Sequence, residues 1–333
     1  MKIIGEIGVN HNGSVALAKQ LIETVKAAGA DAVKLQYFDP AKMVTKSAPL
    51  AEYQKKAKGI GDSQLEMLEA LKLERDDIFE LKAHADTLDI EFVCSVFDVA
   101  DFEMLDELQV STYKIPSGEL NNFQYLDRMS RNKTGSVIVS TGMAWLSEVL
   151  RAVEFLKGKG LPESQLTVLH CTSQYPADLD ALNMKAMTTL RQATGLAVGY
   201  SDHSDGCLAG VLSVALGGQV LERHVTLDRS MEGPDHKASD DPQSFRAYCE
   251  AVREAEVAMG DGAKVPMATE MDTREVARKS IFARTQISPG DVLSRDNLVC
   301  MRPGTGIPAE LFGVLEGRLS SRRYSPGDPI EIG

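Results

Sequence analysis

The chain has 333 residues, 43% hydrophobic and 25% charged, which fits one large α/β domain with an appendage or two medium domains. Its formal net charge of −12 argues against a nucleic-acid or anionic-membrane partner, so any anionic ligand must be met by a local cationic pocket. The N-terminal stretch MKIIGEIGVNHNGS is interrupted by Glu6, no run approaches the roughly 18 apolar residues of a membrane span, and the five cysteines are scattered and odd in number, so the expected location is the cytoplasm.

In chain order, short β-branched or apolar runs read as strands: KIIGEIGV, DAVKLQYF, IEFVCSVF, STYKIPS, SVIVST, LTVLHCT, LAVGYSD and QVLERHVT. Between them lie stretches such as VALAKQLIETVKAAG, DDIFELKAHADTLD, LSEVLRAVEFLKGKG and MKAMTTLRQATG, whose apolar residues recur at helical spacing. Eight such units over residues 1–262 predict an α/β chain built on a parallel (β/α)8 (TIM) barrel. The turn after the first strand reads NHNGS, which lacks the Gly-rich phosphate turn of a doubly wound open sheet. After SFRAYCEAVREAEVAMGDG the pattern changes: residues 263–279 read as a linker, and 280–333, with two SPGD turns, as a small β-rich domain.

Catalytic groups of such barrels sit at the C-terminal ends of the strands. Collected there are Glu6; Lys34 and Gln36; Ser95; Lys114, Ser117 and Glu119; Ser140; His170, Ser173 and Tyr175; Ser201, Asp202 and His203; Glu222 and His224. Five of the six histidines, all but His84, fall at these ends or in the loops after them. Lys34 and Lys114 stand in apolar strands, where an unpaired ammonium would cost several kcal/mol. Each lysine alone fits a partner carboxylate equally well; together, beside serine hydroxyls, they point to a phosphate or carboxylate pocket. A strand-end histidine alone is more often structural. His203 and His224, ending neighbouring strands with Glu6, Asp202, Glu222 and Asp235 nearby, form a candidate divalent-metal pair. Glu119, Tyr175 and Asp235 are candidates for proton transfer or hydroxyl binding, against the blander role of rim ion pairs or caps.

The motifs EIGVNHNGS, VKLQ, YKIPSGE, STGMA, LHCTSQYP, GYSDHS, LERHVTLD, GPDHKAS and MRPGTGI resemble, in order and spacing, the bacterial N-acetylneuraminate (sialic acid) synthases and the similar legionaminic acid synthases. The resemblance implies a barrel followed by an antifreeze-like (SAF) domain. It implies condensation of phosphoenolpyruvate and water with N-acetylmannosamine to give N-acetylneuraminate and phosphate through C–O cleavage. The alternative product is N,N'-diacetyllegionaminate, from 2,4-diacetamido-2,4,6-trideoxymannose. By the same resemblance Lys34, Ser95, Lys114, Ser117, Ser140, Ser173 and Ser201 hold phosphoenolpyruvate, and His203 and His224 hold Mn2+ or Mg2+. Gln36, Tyr175, Asp235 and Arg302 face the amino sugar, Glu6, Glu119 and Tyr175 form the catalytic set, and Arg302 acts across a domain-swapped homodimer. Asp202 and His236 receive no role. The sequence departs from the family pattern at FVCSVFD, at Ser173 and at ASDDP. Two other classes compete: a Schiff-base aldolase on Lys114 or Lys34, and a binding protein whose C-terminal module recognises a surface or glycan.

Overall fold

The computed structural model describes residues 1–46, 48–50, 63–132 and 135–331, so the last two residues of the expected 280–333 domain lie outside the described residues. Two compact units appear, Met1–Gly260 and Asp261–Gly333.

In the first unit β1 (Lys2–Gly8), β2 (Ala32–Tyr37), β3 (Glu91–Val96), β4 (Thr112–Ile115), β5 (Ser136–Ser140), β6 (Leu166–Cys171), β7 (Ala197–Asp202) and β8 (Val220–His224) close in chain order into a parallel barrel. Around it lie α1 (Val15–Ala27), α2 (Pro40–Met43), α3 (Gln64–Leu71), α4 (Arg75–Thr87), α5 (Phe102–Leu108), α6 (Phe123–Met129), α7 (Leu146–Gly158), α8 (Ala186–Thr194), α9 (Leu208–Ala215) and α10 (Pro242–Met259). Local chemistry sets several starts and stops. Ser14 accepts a hydrogen bond from the Leu17 amide to begin α1, and Asp241 accepts one from Ser244 while Pro242 opens α10. Gly195, at φ +71°, ends α8 in the left-handed region.

The barrel interior is arranged by the two-residue period of the strands. Ile4, Ala32, Val93, Ile138, Leu169 and Val220 form an apolar cluster of their own. Two residues further along those strands stand Glu6, Lys34, Ser95, Ser140, Cys171 and Glu222. Two more bring Gln36, Phe97, Gly142, Ser173 and His224 on five of them. The inward positions therefore pass from an apolar floor to charged and hydroxyl groups, then to the mouth. Gly199 permits this closure of β7 on its neighbours: a Cβ there would lie 2.2 Å from the Val220 carbonyl oxygen.

The second unit holds β9 (Ser280–Ala283) and β10 (Leu298–Met301) in an antiparallel pair, over a core of Ile281, Ile287, Leu293, Leu298, Leu315, Tyr324 and Ile330. In both SPGD turns the serine amide donates to the aspartate three residues on, Ser288 to Asp291 at 2.7 Å and Ser325 to Asp328 at 2.6 Å, with Gly290 and Gly327 at positive φ. The segment 263–279 carries α11 (Met271–Ala277), and the Gly304 amide donates to the Glu275 carbonyl at 2.7 Å. A single turn, α12 (Phe312–Leu315), completes the unit. Among the described residues no helix is long and apolar enough to cross a membrane.

Candidate active site

A cavity of about 940 Å³ opens at the C-terminal ends of the strands. Glu6, Lys34, Gln36, Lys114, Ser117, Ser140, Ser173, Tyr175, Ser201, His203, His224 and Asp235 all line it, so twelve of the fifteen residues given roles by the family resemblance are brought together. Three are placed elsewhere. Ser95 and Glu119 do not line the cavity, and Arg302 belongs to the second unit, where it is exposed. Glu119 is half-buried on a short 3-10 turn after β4, next to Gly118, which does line the cavity.

Both strand lysines have carboxylate partners. Lys34 Nζ stands 2.9 Å from Glu6 Oε2 and 3.7 Å from Glu222 Oε1, and Lys114 Nζ is 3.4 Å from Glu222 Oε2. Gln36 donates to Glu6 Oε1 at 2.9 Å. Glu222, which the sequence marked only as a nearby carboxylate, is the hub of this chain, and Ser201 Oγ also donates to it at 3.3 Å. Burial alone would raise the Glu222 carboxyl, but the Lys114 and Lys34 ammoniums outweigh it and hold it at about 2. Burial dominates at Glu6, which is pushed up against the pull of Lys34. Burial would lower Lys34, but Glu222 and Glu6 on either side keep it raised; at Lys114 burial prevails over Glu222 and the ammonium is lowered.

Around the lysines hydroxyls are available. Ser140 Oγ and Ser95 Oγ are buried with no hydrogen-bond partner, unusual positions for polar atoms. Ser117 Oγ accepts from the Gly142 amide at 3.0 Å and lies 3.3 Å from Cys171 Sγ. Gly142 is required by close packing here: a Cβ would lie 2.2 Å from Ser173 Oγ.

His203 and His224 converge, with ring centroids 5.4 Å apart, and Tyr175 packs against both, at 4.2 and 5.7 Å. His203 Nδ1 donates to the Thr172 carbonyl at 2.7 Å, which leaves Nε2 as the lone-pair nitrogen. His224 Nδ1 is buried without a hydrogen bond, 4.0 Å from Asp235 Oδ2. Burial, and then the His224 ring, lowers His203 to about 4; burial, and then Lys34, lowers His224 to about 3. Both imidazoles are thus neutral at neutral pH, the form that ligates a metal. Burial, and then Glu6, raises Asp235 to about 7. Among the described residues no group of three or more His, Cys, Asp or Glu side chains is set to hold a metal, so a cation here would take two imidazole nitrogens and fill its remaining positions from solvent and substrate.

Asp202 and His236, left without roles by the sequence, are placed by their partners. Asp202 points away from the cavity: Oδ1 accepts from the Ser204 amide and hydroxyl at 2.9 and 2.7 Å, and Oδ2 from Tyr248 at 2.8 Å. Arg223, 1% exposed, donates twice to Asp240 at 2.8 Å, lies 3.3 Å from Asp202 Oδ1 and donates to the Ser204 carbonyl. This buried network clamps the residues on both sides of His203. His236 accepts from Thr226 and donates to Asn12 Oδ1, while Asn12 Nδ2 donates to the Glu232 carbonyl, so the loop after β1 braces the loop carrying Asp235.

A closed parallel barrel with its lysines, histidines and hydroxyls gathered at the C-terminal mouth is the architecture of a barrel enzyme. The chain belongs to the NeuB family, whose pattern matches residues 21–264, and carries a SAF domain at residues 278–331. It is 41% identical to the N,N'-diacetyllegionaminic acid synthase of Campylobacter jejuni over 98% of both chains. It is 43% identical to the enzyme of the same name from Legionella pneumophila, over 96% of this chain and 90% of that one. Among solved structures, the N-acetylneuraminic acid (sialic acid) synthetase of Leptospira borgpetersenii, in complex with citrate, superposes with a TM-score of 0.72 at 29% identity, covering 81% of this chain and 89% of that one.

Proposed function

We propose that this chain condenses phosphoenolpyruvate and water with the open-chain aldehyde of an N-acylated amino sugar, forming a nine-carbon 2-keto acid and releasing phosphate by C–O cleavage. The observation that carries the reading is one cavity holding two paired lysines, four serines and two convergent neutral histidines. N-acetylmannosamine stands as the first acceptor on sequence grounds. Two relatives above 40% identity are named for legionaminic acid, against 29% for the solved sialic acid synthetase, so the acceptor is revised to 2,4-diacetamido-2,4,6-trideoxymannose and the product to N,N'-diacetyllegionaminate.

Lys34 and Lys114 meet the phosphate and carboxylate of phosphoenolpyruvate as point charges, with Ser117, Ser140, Ser173 and Ser201 as hydroxyl donors. Ser95, two residues before Phe97, offers its unpartnered Oγ to an oxygen that reaches past the mouth. The pairing of each lysine with Glu222 or Glu6 fixes the ammonium positions before substrate arrives. Gln36, Tyr175 and Asp235 bind acceptor hydroxyls, and Arg302 binds its N-acyl group. Glu6, Glu119 and Tyr175 manage protons; burial raises the Glu119 carboxyl, the shift that suits a proton-transferring acid. Mn2+ or Mg2+ would be held by His203 and His224, and when bound it supplies Lewis-acid polarisation of the aldehyde carbonyl. The enzyme works in the cytoplasm, a setting supported by its five free cysteines. By the same family resemblance it works as a domain-swapped homodimer, in which Arg302 comes from the partner subunit.

Incubation with phosphoenolpyruvate, Mn2+ and each of the two sugars, followed by mass detection of the product, tests the reading. A new nine-carbon keto acid is expected; none from either sugar would refute it. A pyruvate adduct trapped by borohydride would favour the Schiff-base aldolase instead.

A further inference from the structure

The cavity has two unlike sides. His203, His224 and Tyr175, from β7, β8 and the loop after β6, form a polar and aromatic side. On the part of the rim that follows β1, β2 and β3, an apolar wall is formed by Val9, Met43, Met67, Leu68, Leu71 and Phe97. Val9, Met67, Leu68 and Leu71 are buried in one cluster with Phe38, and the half-buried Met43 and Phe97 pack against it. Phe97 stands edge-on to Phe38, ring centroids 6.2 Å apart. On α3 the residues facing the cavity are 64, 67, 68 and 71, one helical face, while Glu66 and Glu69 on other faces are exposed. Gln64 is the polar member of that face.

A wall of this composition discriminates between acceptors. A hydroxyl turned against it gives up hydrogen bonds to water without replacement, whereas a methyl group gains by leaving water. N-acetylmannosamine carries hydroxyls at carbons 4 and 6. The trideoxy sugar carries an acetamido group at carbon 4 and a methyl at carbon 6. The wall offers apolar contact for both methyl groups, and Gln64 offers a partner for the amide.

We infer that the wall from α2, α3 and Phe97 is the specificity subsite for the distal end of the acceptor, selecting a 6-deoxy, 4-acylamino sugar. This rests on the synthase reading above and assigns its sugar preference to named residues. The polar side holds the aldehyde end, so the sugar spans the cavity from the histidines to the wall.

The test is the ratio of kcat/KM for the trideoxy sugar to that for N-acetylmannosamine, read by phosphate release. Wild type is expected to favour the trideoxy sugar by about tenfold or more. Met43→Gln places a polar group on the wall at nearly constant length and should lower the ratio at least fivefold, mainly through KM for the trideoxy sugar, while Met43→Leu restores it. Gln64→Leu is an independent variant expected to raise KM for the trideoxy sugar more than for N-acetylmannosamine. Equal losses on both sugars, or an unchanged ratio in both variants, would overturn the assignment. A wild-type enzyme active on both sugars without preference would overturn it and leave the synthase reading standing; no turnover of either sugar removes both.

Discussion

His203 and His224 face each other across the ends of β7 and β8 with ring centroids 5.4 Å apart, each held neutral by burial. His203 also spends its Nδ1 proton on the Thr172 carbonyl, so its Nε2 lone pair is fixed towards the cavity. His203→Ala should weaken Mn2+ binding by at least about tenfold and abolish turnover. Loss of one hydrogen bond at the cavity wall should cost about 1 kcal/mol of stability. Calorimetric titration with Mn2+ beside a thermal melt checks both.

The two lysines differ in what they leave behind when removed. Lys34 separates Glu6 from Glu222, so Lys34→Met sets two buried carboxylates against each other and should destabilise the protein by about 3–5 kcal/mol. Lys114→Met leaves Glu222 its other partner, Lys34, and should cost clearly less. Both should raise KM for phosphoenolpyruvate. Urea unfolding ranks the stabilities, and equal losses would argue against the shared-partner arrangement.

Asp235 gives a pH signature. Its folded value, about 7, lies above the ordinary carboxylate value, so the fold favours the neutral acid, and its contribution is present at low pH and lost as pH rises to about 7. His203 and His224 titrate in the opposite sense over part of that window, so the informative quantity is a difference between proteins. The unfolding free energy of Asp235→Asn minus that of wild type should grow from about pH 4 to 7 and then level off. A flat difference would show that Asp235 is solvated.

Arg223 ties Asp202 and Ser204, the residues flanking His203, to Asp240. Arg223→Met strands two buried carboxylates and should cost about 3–5 kcal/mol. Asp240→Asn keeps a hydrogen-bonding partner and should cost less, while loosening Mn2+ affinity through His203. Equilibrium unfolding and metal titration of the pair separate the two effects.

Much of this was readable in the residues because a barrel repeats one simple rule. Each of the eight barrel strands carries its apolar run, and the two-residue period leads from Ile4 to Glu6, Ala32 to Lys34 and Val220 to Glu222 and His224 without any coordinates. The same step from Val93 to Ser95 leads to Phe97, a cavity residue whose apolar side chain carries no sign of a site in the sequence. The wall on α3 was missed because QLEMLEAL is short and its apolar residues look like ordinary core until the face they share is seen to line the cavity. Asp202 could not be placed because its partners, Arg223 and Tyr248, lie 21 and 46 positions away and meet it only in the closed barrel. Glu119 and Ser95 stand at strand ends as expected, yet Glu119 sits on the turn after β4 and Ser95, at 1% exposure, is packed behind the cavity lining.

Phosphate release with each component omitted in turn tests the condensation most directly. With phosphoenolpyruvate, 2,4-diacetamido-2,4,6-trideoxymannose and Mn2+ all present, phosphate should appear in step with a nine-carbon keto acid, and leaving out any one, or adding excess chelator, should stop it. Full release of phosphate in chelator, or without the sugar, would rule out a metal-dependent condensation.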